Sequence, residues 1–219
     1  RSALMPIASV PEAIAAYRTG RTVIIVDDER RENEGDLTIA ADFVTPEAVN
    51  FFAREGRGLV CCAMAGHLID RFDLPLMVPD EDNRSGFGTR FTVSVEAAEG
   101  VTTGISAFDR ARTIRTLTDP KATRADIVTP GHTFPLRAHD GGVLERDGQT
   151  EACVDLARLA GLTPAAMLCE VMNDDGTMAR MPDLEIFAAR HGLKIVSVKA
   201  LQDYRRAHER QAGALYAAE

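Results

Sequence analysis

Residues 23–41, VIIVDDERRENEGDLTIAA, begin and end in apolar runs that read as two β-strands. Between those runs, residues 27–36 carry six carboxylates and two arginines, and only Asn33 and Gly35 are uncharged. A tight hairpin turn has no use for such a segment. Carboxylates packed this closely repel one another, and water or a cation must offset that. The plain reading is a solvated charge run. The sharper one follows from the flanking strands, which bring the root of the loop to a sheet edge. Hard oxygen ligands there suit Mg²⁺ or Mn²⁺, and Arg30 and Arg31 add anion-binding capacity. The segment points to a metal and a phosphate.

Outward from this stretch, short helices and strands alternate along the chain. In SVPEAIAAYRTG, Ser9 is placed as an N-cap, Pro11 lies in the first turn and Gly20 stops the helix. TPEAVNFFAREG repeats that grammar with Thr45, Pro46 and Gly56. LVCCAM reads as a buried strand, DEDNRSGFGTR as a polar loop, and RFTVSVEA as a half-buried strand. A helix starts near Ser106, with Asp109 placed for a capping box. IVTPGHTFPLRAHDGGVLERDG is strand-like and broken by Pro and Gly. TEACVDLARLAG reads as an amphipathic helix. AMLCEVM, NDDG, PDLEIFAARHG and LKIVSV read as strand, turn, helix and strand, and a helix closes the chain. Several strand pairs are joined by loops too short for a crossover, so a mixed sheet fits better than an all-parallel one. The expectation is an α+β fold with α/β-type interleaving: a single domain, residues 1–219, whose mixed sheet is flanked by helices.

The 219 residues are 45% hydrophobic, enough for one substantial core. A net charge of -8 argues against general binding to nucleic acid or an anionic membrane. It leaves room for a small anion held by local arginines. Cys61, Cys62, Cys153 and Cys169 form no CxxC pair and lie in apolar segments, which predicts buried reduced thiols and a cytoplasmic protein. No signal-peptide pattern or membrane-length apolar run is read.

Other candidate chemistry is scattered. His132 follows a Pro-Gly turn in TPGHTF. Arg146 precedes a glycine and a helix start at Gln149 or Thr150, where free N–H groups would hold a phosphate. Glu170 ends an apolar strand and needs a partner, either in a salt bridge or as an acid/base. Thr102, Thr103, Ser106, Asp109 and Arg110 read alone as a loop and a cap.

Together, DDERRENEGDL, FTVSVEAAEGVTTGISAFDR, PGHTFPLRA, GGVL, TEA, LCE, NDDGTMAR and AHER closely resemble the 3,4-dihydroxy-2-butanone 4-phosphate synthase family. The resemblance runs from about residue 10 to about residue 208. No GTP cyclohydrolase II domain, as in fused family members, follows within these residues.

The resemblance implies the fold of that family and a homodimer that uses Mg²⁺ or Mn²⁺. It implies conversion of ribulose 5-phosphate to 3,4-dihydroxy-2-butanone 4-phosphate and formate, in riboflavin biosynthesis. By motif match, Glu32 binds metal, and Arg31, Glu32 and Asp36 contact substrate. His132 and Glu170 match positions needed for catalysis, Glu170 also touching substrate. Arg146, Asp147, Gly148, Gln149 and Thr150 match the family's phosphate-holding segment, which also carries a metal-binding histidine. Gln149 stands in that histidine's place. Two readings follow: an active synthase whose charged loop is a flexible lid, or a diverged member that binds a sugar phosphate with weak or no turnover.

Overall fold

The structure, a computed structural model, describes residues 7–212. Its strands are β1 (Val23–Val26), β2 (Gly35–Ala40), β3 (Cys61–Met64), β4 (Val95–Ala97), β5 (Ile127–Arg137), β6 (Ala165–Glu170) and β7 (Lys194–Ser197). They form one sheet in the order β4-β5-β3-β6-β2-β1-β7. β1 and β7 run parallel, as do β3 and β5, and the other neighbours are antiparallel. The sheet is mixed, as the short loops predict.

Helices cover both faces. α1 (Val10–Arg18), α5 (Gln149–Leu159) and α7 (Val198–Ala212) pack on one. α2 (Pro46–Phe51), α3 (Gly66–Arg71), α4 (Ala107–Thr118) and α6 (Met181–His191) pack on the other. Double coverage explains why VIIV is apolar without alternation. Ile24 and Ile25 are both fully buried but belong to opposite cores. Cys61 and Cys62 divide the same way, and all four cysteines are buried free thiols. Tyr17 Oη donates to Thr38 Oγ1 (2.7 Å), which donates to the Val23 carbonyl (2.9 Å), so this polar pair inside the core is satisfied.

Several local expectations are corrected. The charged loop is shorter than the charge pattern, because β2 starts at Gly35 and takes Asp36 into the sheet. α5 is buried on nearly every side from Gln149 to Ala157, since it lies between the sheet, α1 and α7. RFTVSVEA is mostly bridge and loop, with only Val95–Ala97 a strand. Ser106 Oγ caps α4 by accepting the Asp109 N–H, but the Asp109 carboxylate turns back to Thr102 Oγ1 and the Gly104 N–H instead of closing a capping box. The helix ending at Gly56 finishes as a wider π-type turn, and the left-handed residue is Arg57, at φ 70°. Helix α3 has only six residues and no side-chain cap, so it leaves no helical signature in the sequence.

Candidate functional site

Register places the central acids. Asp36 pairs with Glu170 across β2 and β6, and with Ile25 across β1 and β2. Side chains alternate along a strand, so Asp36 and Glu170 project from the face covered by α1, α5 and α7. The N-terminal turn of α5 sits over them. A cavity of about 330 Å³ lies there, floored by Cys61, Leu136 and Leu168 and walled by Gln149, Thr150 and Arg146, with Glu32, Glu34, Asp36 and Glu170 also lining it.

Asp27 organises the loop between β1 and β2. Its buried carboxylate accepts the N–H groups of Glu32 (3.0 Å) and Glu34 (2.9 Å) and a bond from Arg31 Nη1 (2.8 Å). Arg180 donates to the carbonyls of Glu32 and Asn33 from outside. The charge run is therefore a folded turn, with Asp27 and Asp36 buried, Glu32 and Glu34 half-buried at the cavity, and Asp28 and Glu29 exposed at its tip.

The electrostatics follow from crowding. Burial pushes the Asp36 carboxyl well above the usual range, and the negative charges of Glu170, Glu32 and Glu34 push it further. Burial likewise raises Glu32, where Arg31 pulls the other way, and it raises Glu34 with help from Glu32 and Glu170. Asp36 Oδ1 is buried without a hydrogen-bond partner. Glu170 Oε2 accepts the Leu59 N–H at 2.8 Å. Gly58 makes that contact possible, because a Cβ there would lie 2.4 Å from Glu170 Oε2 and 2.7 Å from its carbonyl oxygen.

The arginines are engaged. Arg146 Nη1 meets Glu151 Oε2 at 2.6 Å, its Nε donates to the Phe87 carbonyl and its Nη2 to Thr89 Oγ1. Arg31 lies against the Phe87 ring, 4.9 Å from the centroid. Phe87 and Arg146 stand between the acidic cavity and an outer groove of about 1050 Å³. Asp147 is exposed, its Oδ1 3.8 Å from Arg31 Nε. Gly148 is the N-cap of α5, and no side chain caps that helix, so Thr150 is not the ordinary cap it resembles.

Gln149 is buried; its Oε1 accepts from Arg31 Nη1 at 3.2 Å, and its Nε2 donates to the Glu34 carbonyl at 3.4 Å. Among the described residues, no group of three or more His, Cys, Asp and Glu is arranged to hold a metal. Two hard oxygens nonetheless converge, since Glu32 Oε1 is also 3.2 Å from Arg31 Nη1. Together with the orphaned Asp36 oxygen nearby, that donor set fits a cation such as Mg²⁺, which keeps waters and takes few protein ligands.

The structure brings together Arg31, Glu32, Asp36, Arg146, Gln149, Thr150 and Glu170, but it does not bring His132 to them. His132 lies two residues before Phe134 on β5, and Glu170 two residues after Leu168 on β6; Phe134 and Leu168 flank Cys61 on its two sides. The expected catalytic pair thus sits at one end of the sheet with β3 between, roughly 10 Å apart by strand spacing. His132 Nδ1 pairs with Glu96 on β4 and does not line the cavity. Sequence reading also missed Glu34, Glu151 and the Phe87–Thr89 wall. A lone aromatic in the polar run NRSGFGTR was the available signal.

The family described as 3,4-dihydroxy-2-butanone 4-phosphate synthase matches residues 11–204. The chain belongs to this family. The synthase of Pseudomonas aeruginosa is 56% identical over 206 residues, which cover 94% of this chain and 56% of the relative. The chain spans little more than half the length of such curated relatives. Among solved structures, a two-domain 3,4-dihydroxy-2-butanone 4-phosphate synthase from A. baumannii matches with TM-score 0.87 and 52% identity, covering 90% of this chain and 58% of that one. A 3,4-dihydroxy-2-butanone 4-phosphate synthase in complex with two magnesium ions matches with TM-score 0.86 and 39% identity, covering 92% and 98%. The α+β fold is that of the synthase family.

Proposed function

We propose that this chain converts ribulose 5-phosphate to 3,4-dihydroxy-2-butanone 4-phosphate and formate, a step of riboflavin biosynthesis. The observation that carries this reading is the Asp36–Glu170 pair, side by side across β2 and β6 and facing one cavity with Arg146 in a chain of this family. Glu170 takes the proton next to the ketone. Asp36, held protonated further toward neutral pH than a free aspartate, returns one; environments that differ this way separate acid from base. Arg146, Arg31 and the open N-terminus of α5 hold the phosphate and so fix the sugar's position. The loop after β1 and the Phe87 wall keep water from the reacting carbons. Glu32 and Gln149 would hold a divalent metal, Mg²⁺ or Mn²⁺, which when bound supplies Lewis-acid stabilisation of charge on the sugar oxygens. Ribulose 5-phosphate and Mg²⁺ incubated with the protein should yield formate, and no formate above a protein-free control would refute the activity.

A homodimer is part of the proposal, and it resolves the position of His132. Ile105, Phe108 and Val128 are exposed in the segments around it, and apolar surface of this kind marks interfaces. In a two-fold dimer, His132 of one copy would serve the cavity of the other. Light scattering should then give twice the chain mass. Mixing and refolding inactive His132→Ala with inactive Glu170→Gln should restore about a quarter of the wild-type rate, since half the dimers are hybrids with one intact site. A monomer, or no recovery, would count against a shared site.

Gln149 predicts the metal preference. Its carbonyl oxygen suits Mg²⁺, whereas imidazole is the better partner for Mn²⁺ and later metals. Gln149→His is expected to tighten Mn²⁺ binding about 10–100-fold, on the scale of changes near a metal site, and Mg²⁺ less. An unchanged metal dependence would mean that position 149 does not govern binding. For the protein as a whole, we propose a cytoplasmic setting, supported by four buried thiols. No helix among the described residues is long and apolar enough to cross a membrane.

A further inference from the structure

Arg31 is poorly placed to wait for a phosphate. Its side chain is only 9% exposed, and Nη1 alone faces three oxygens: Asp27 Oδ2 at 2.8 Å, Glu32 Oε1 at 3.2 Å and Gln149 Oε1 at 3.2 Å. Two of these are the oxygens assigned above to the metal. A guanidinium stays charged in proteins and has no lone pair to give, so it can never be a ligand. An Mg²⁺ ion sits roughly 2.0–2.1 Å from its ligands. Bound to both oxygens, it would share with Nη1 a space that two cations cannot occupy together.

We propose that Arg31 is a resident cation in the metal's place. Metal binding takes Glu32 and Gln149 from Nη1, and the released guanidinium turns to the anion in the adjoining groove. Metal and anion then each promote the other's binding. The inference rests on the metal-binding role given to Glu32 and Gln149. Arg31 already lines the outer groove, where Arg30, Arg146 and Lys199 alternate with Asp27, Asp28, Glu29 and Asp147, so a freed side chain enters a groove of mixed charge in which a bound anion replaces the oxygens it has lost. Gln149 suits the exchange. Its carbonyl is always an acceptor, so it holds the guanidinium at any pH, whereas a protonated histidine would repel it. The coupling is reciprocal, as any linkage between two binding equilibria must be.

The test is Mn²⁺ titration of the full chain by the free-ion EPR signal, with and without inorganic phosphate, corrected for phosphate binding of Mn²⁺ in protein-free buffer. Phosphate is expected to tighten Mn²⁺ binding at least about 5-fold, the lower end of typical coupling. Arg31→Met should bind Mn²⁺ more tightly than the unaltered protein when phosphate is absent, and should lose most of the phosphate effect. Arg30→Met controls for simple loss of a nearby positive charge, because Arg30 is exposed and pairs with Asp28; its Mn²⁺ affinity should stay within about 2-fold, as expected for a screened surface charge. Circular dichroism checks that each variant is folded. The inference is overturned if Arg31→Met binds Mn²⁺ no more tightly, if Arg30→Met matches it, or if full phosphate coupling survives without Arg31. A protein that makes no formate but shows the exchange would lose the proposed activity and keep this inference. Formate production with Mn²⁺ affinity indifferent to Arg31 would do the reverse.

Discussion

Glu170→Gln is expected to lower formate release from ribulose 5-phosphate by about 10²–10⁴-fold, the usual contribution of a positioned acid or base, while the fold persists. Glutamine has the same shape as glutamate. Its amide oxygen can still accept the Leu59 N–H that now meets Glu170 Oε2. What it cannot do is take a proton. The substitution also removes the negative neighbour that helps raise the Asp36 carboxyl. The melting temperature should therefore hold or rise as turnover collapses, which separates a chemical loss from a folding loss. Formate release within 10-fold of wild type, measured on protein with an unchanged melting curve, would remove Glu170 from the proton-transfer role, because that deficit is smaller than acid–base chemistry supplies.

Asp36→Asn is expected to stabilise the fold and abolish most activity. Asp36 is buried among like charges, with one carboxylate oxygen unpaired. Its folded pKa is raised above the unfolded value, so the folded state binds its proton more tightly than the unfolded chain does. The stability this contributes is fully present below about pH 4, where both states are protonated. It is lost as pH rises through the folded pKa, where the native protein must hold an uncompensated charge. Asparagine has no such loss. The stability difference in favour of Asp36→Asn should be small near pH 4, widen as pH rises, and level off above the folded pKa of Asp36. At neutral pH it should reach about 1–2 kcal/mol, typical of relieving a strained functional site. For a chain of this size that is a melting shift of roughly 2–8 °C. Melting curves for both proteins from pH 4 to 8 check this. A gap that shrinks with rising pH would contradict the assigned direction.

The apolar grammar made most of the fold legible. Ser9, Thr45 and Ser106 cap the helices they were expected to cap. The unbroken apolar runs marked strands covered on both faces. Gly66–Arg71 failed because six residues give too little period to read. Asp36 both ends the charge run and opens DLTIAA, which reads as a strand. Only the register shows that it faces Glu170 across the sheet. The site was legible as a set of residue types but not as a geometry. Motif matching put His132 and Glu170 in one cast, and no local pattern could show β3 standing between them. Nor could sequence show that Arg31 is engaged, because its partners Asp27, Glu32 and Gln149 are joined by folding.

Strand β6 lies at the centre of the sheet, with β4, β5 and β3 on one side and β2, β1 and β7 on the other. The two halves of the sheet are zipped together only along this strand, and its last residue is Glu170. A nascent chain cannot join them until β6 has left the ribosome, long after β2 and β3 have been made. Pairings so distant in sequence make folding slow. They also leave the edges of β2 and β3 open in the meantime, where other chains can add to them. Because Asp36 and Glu170 meet across that same seam, the acid pair is assembled by the closing step itself, and a chain halted before it has no site to misuse.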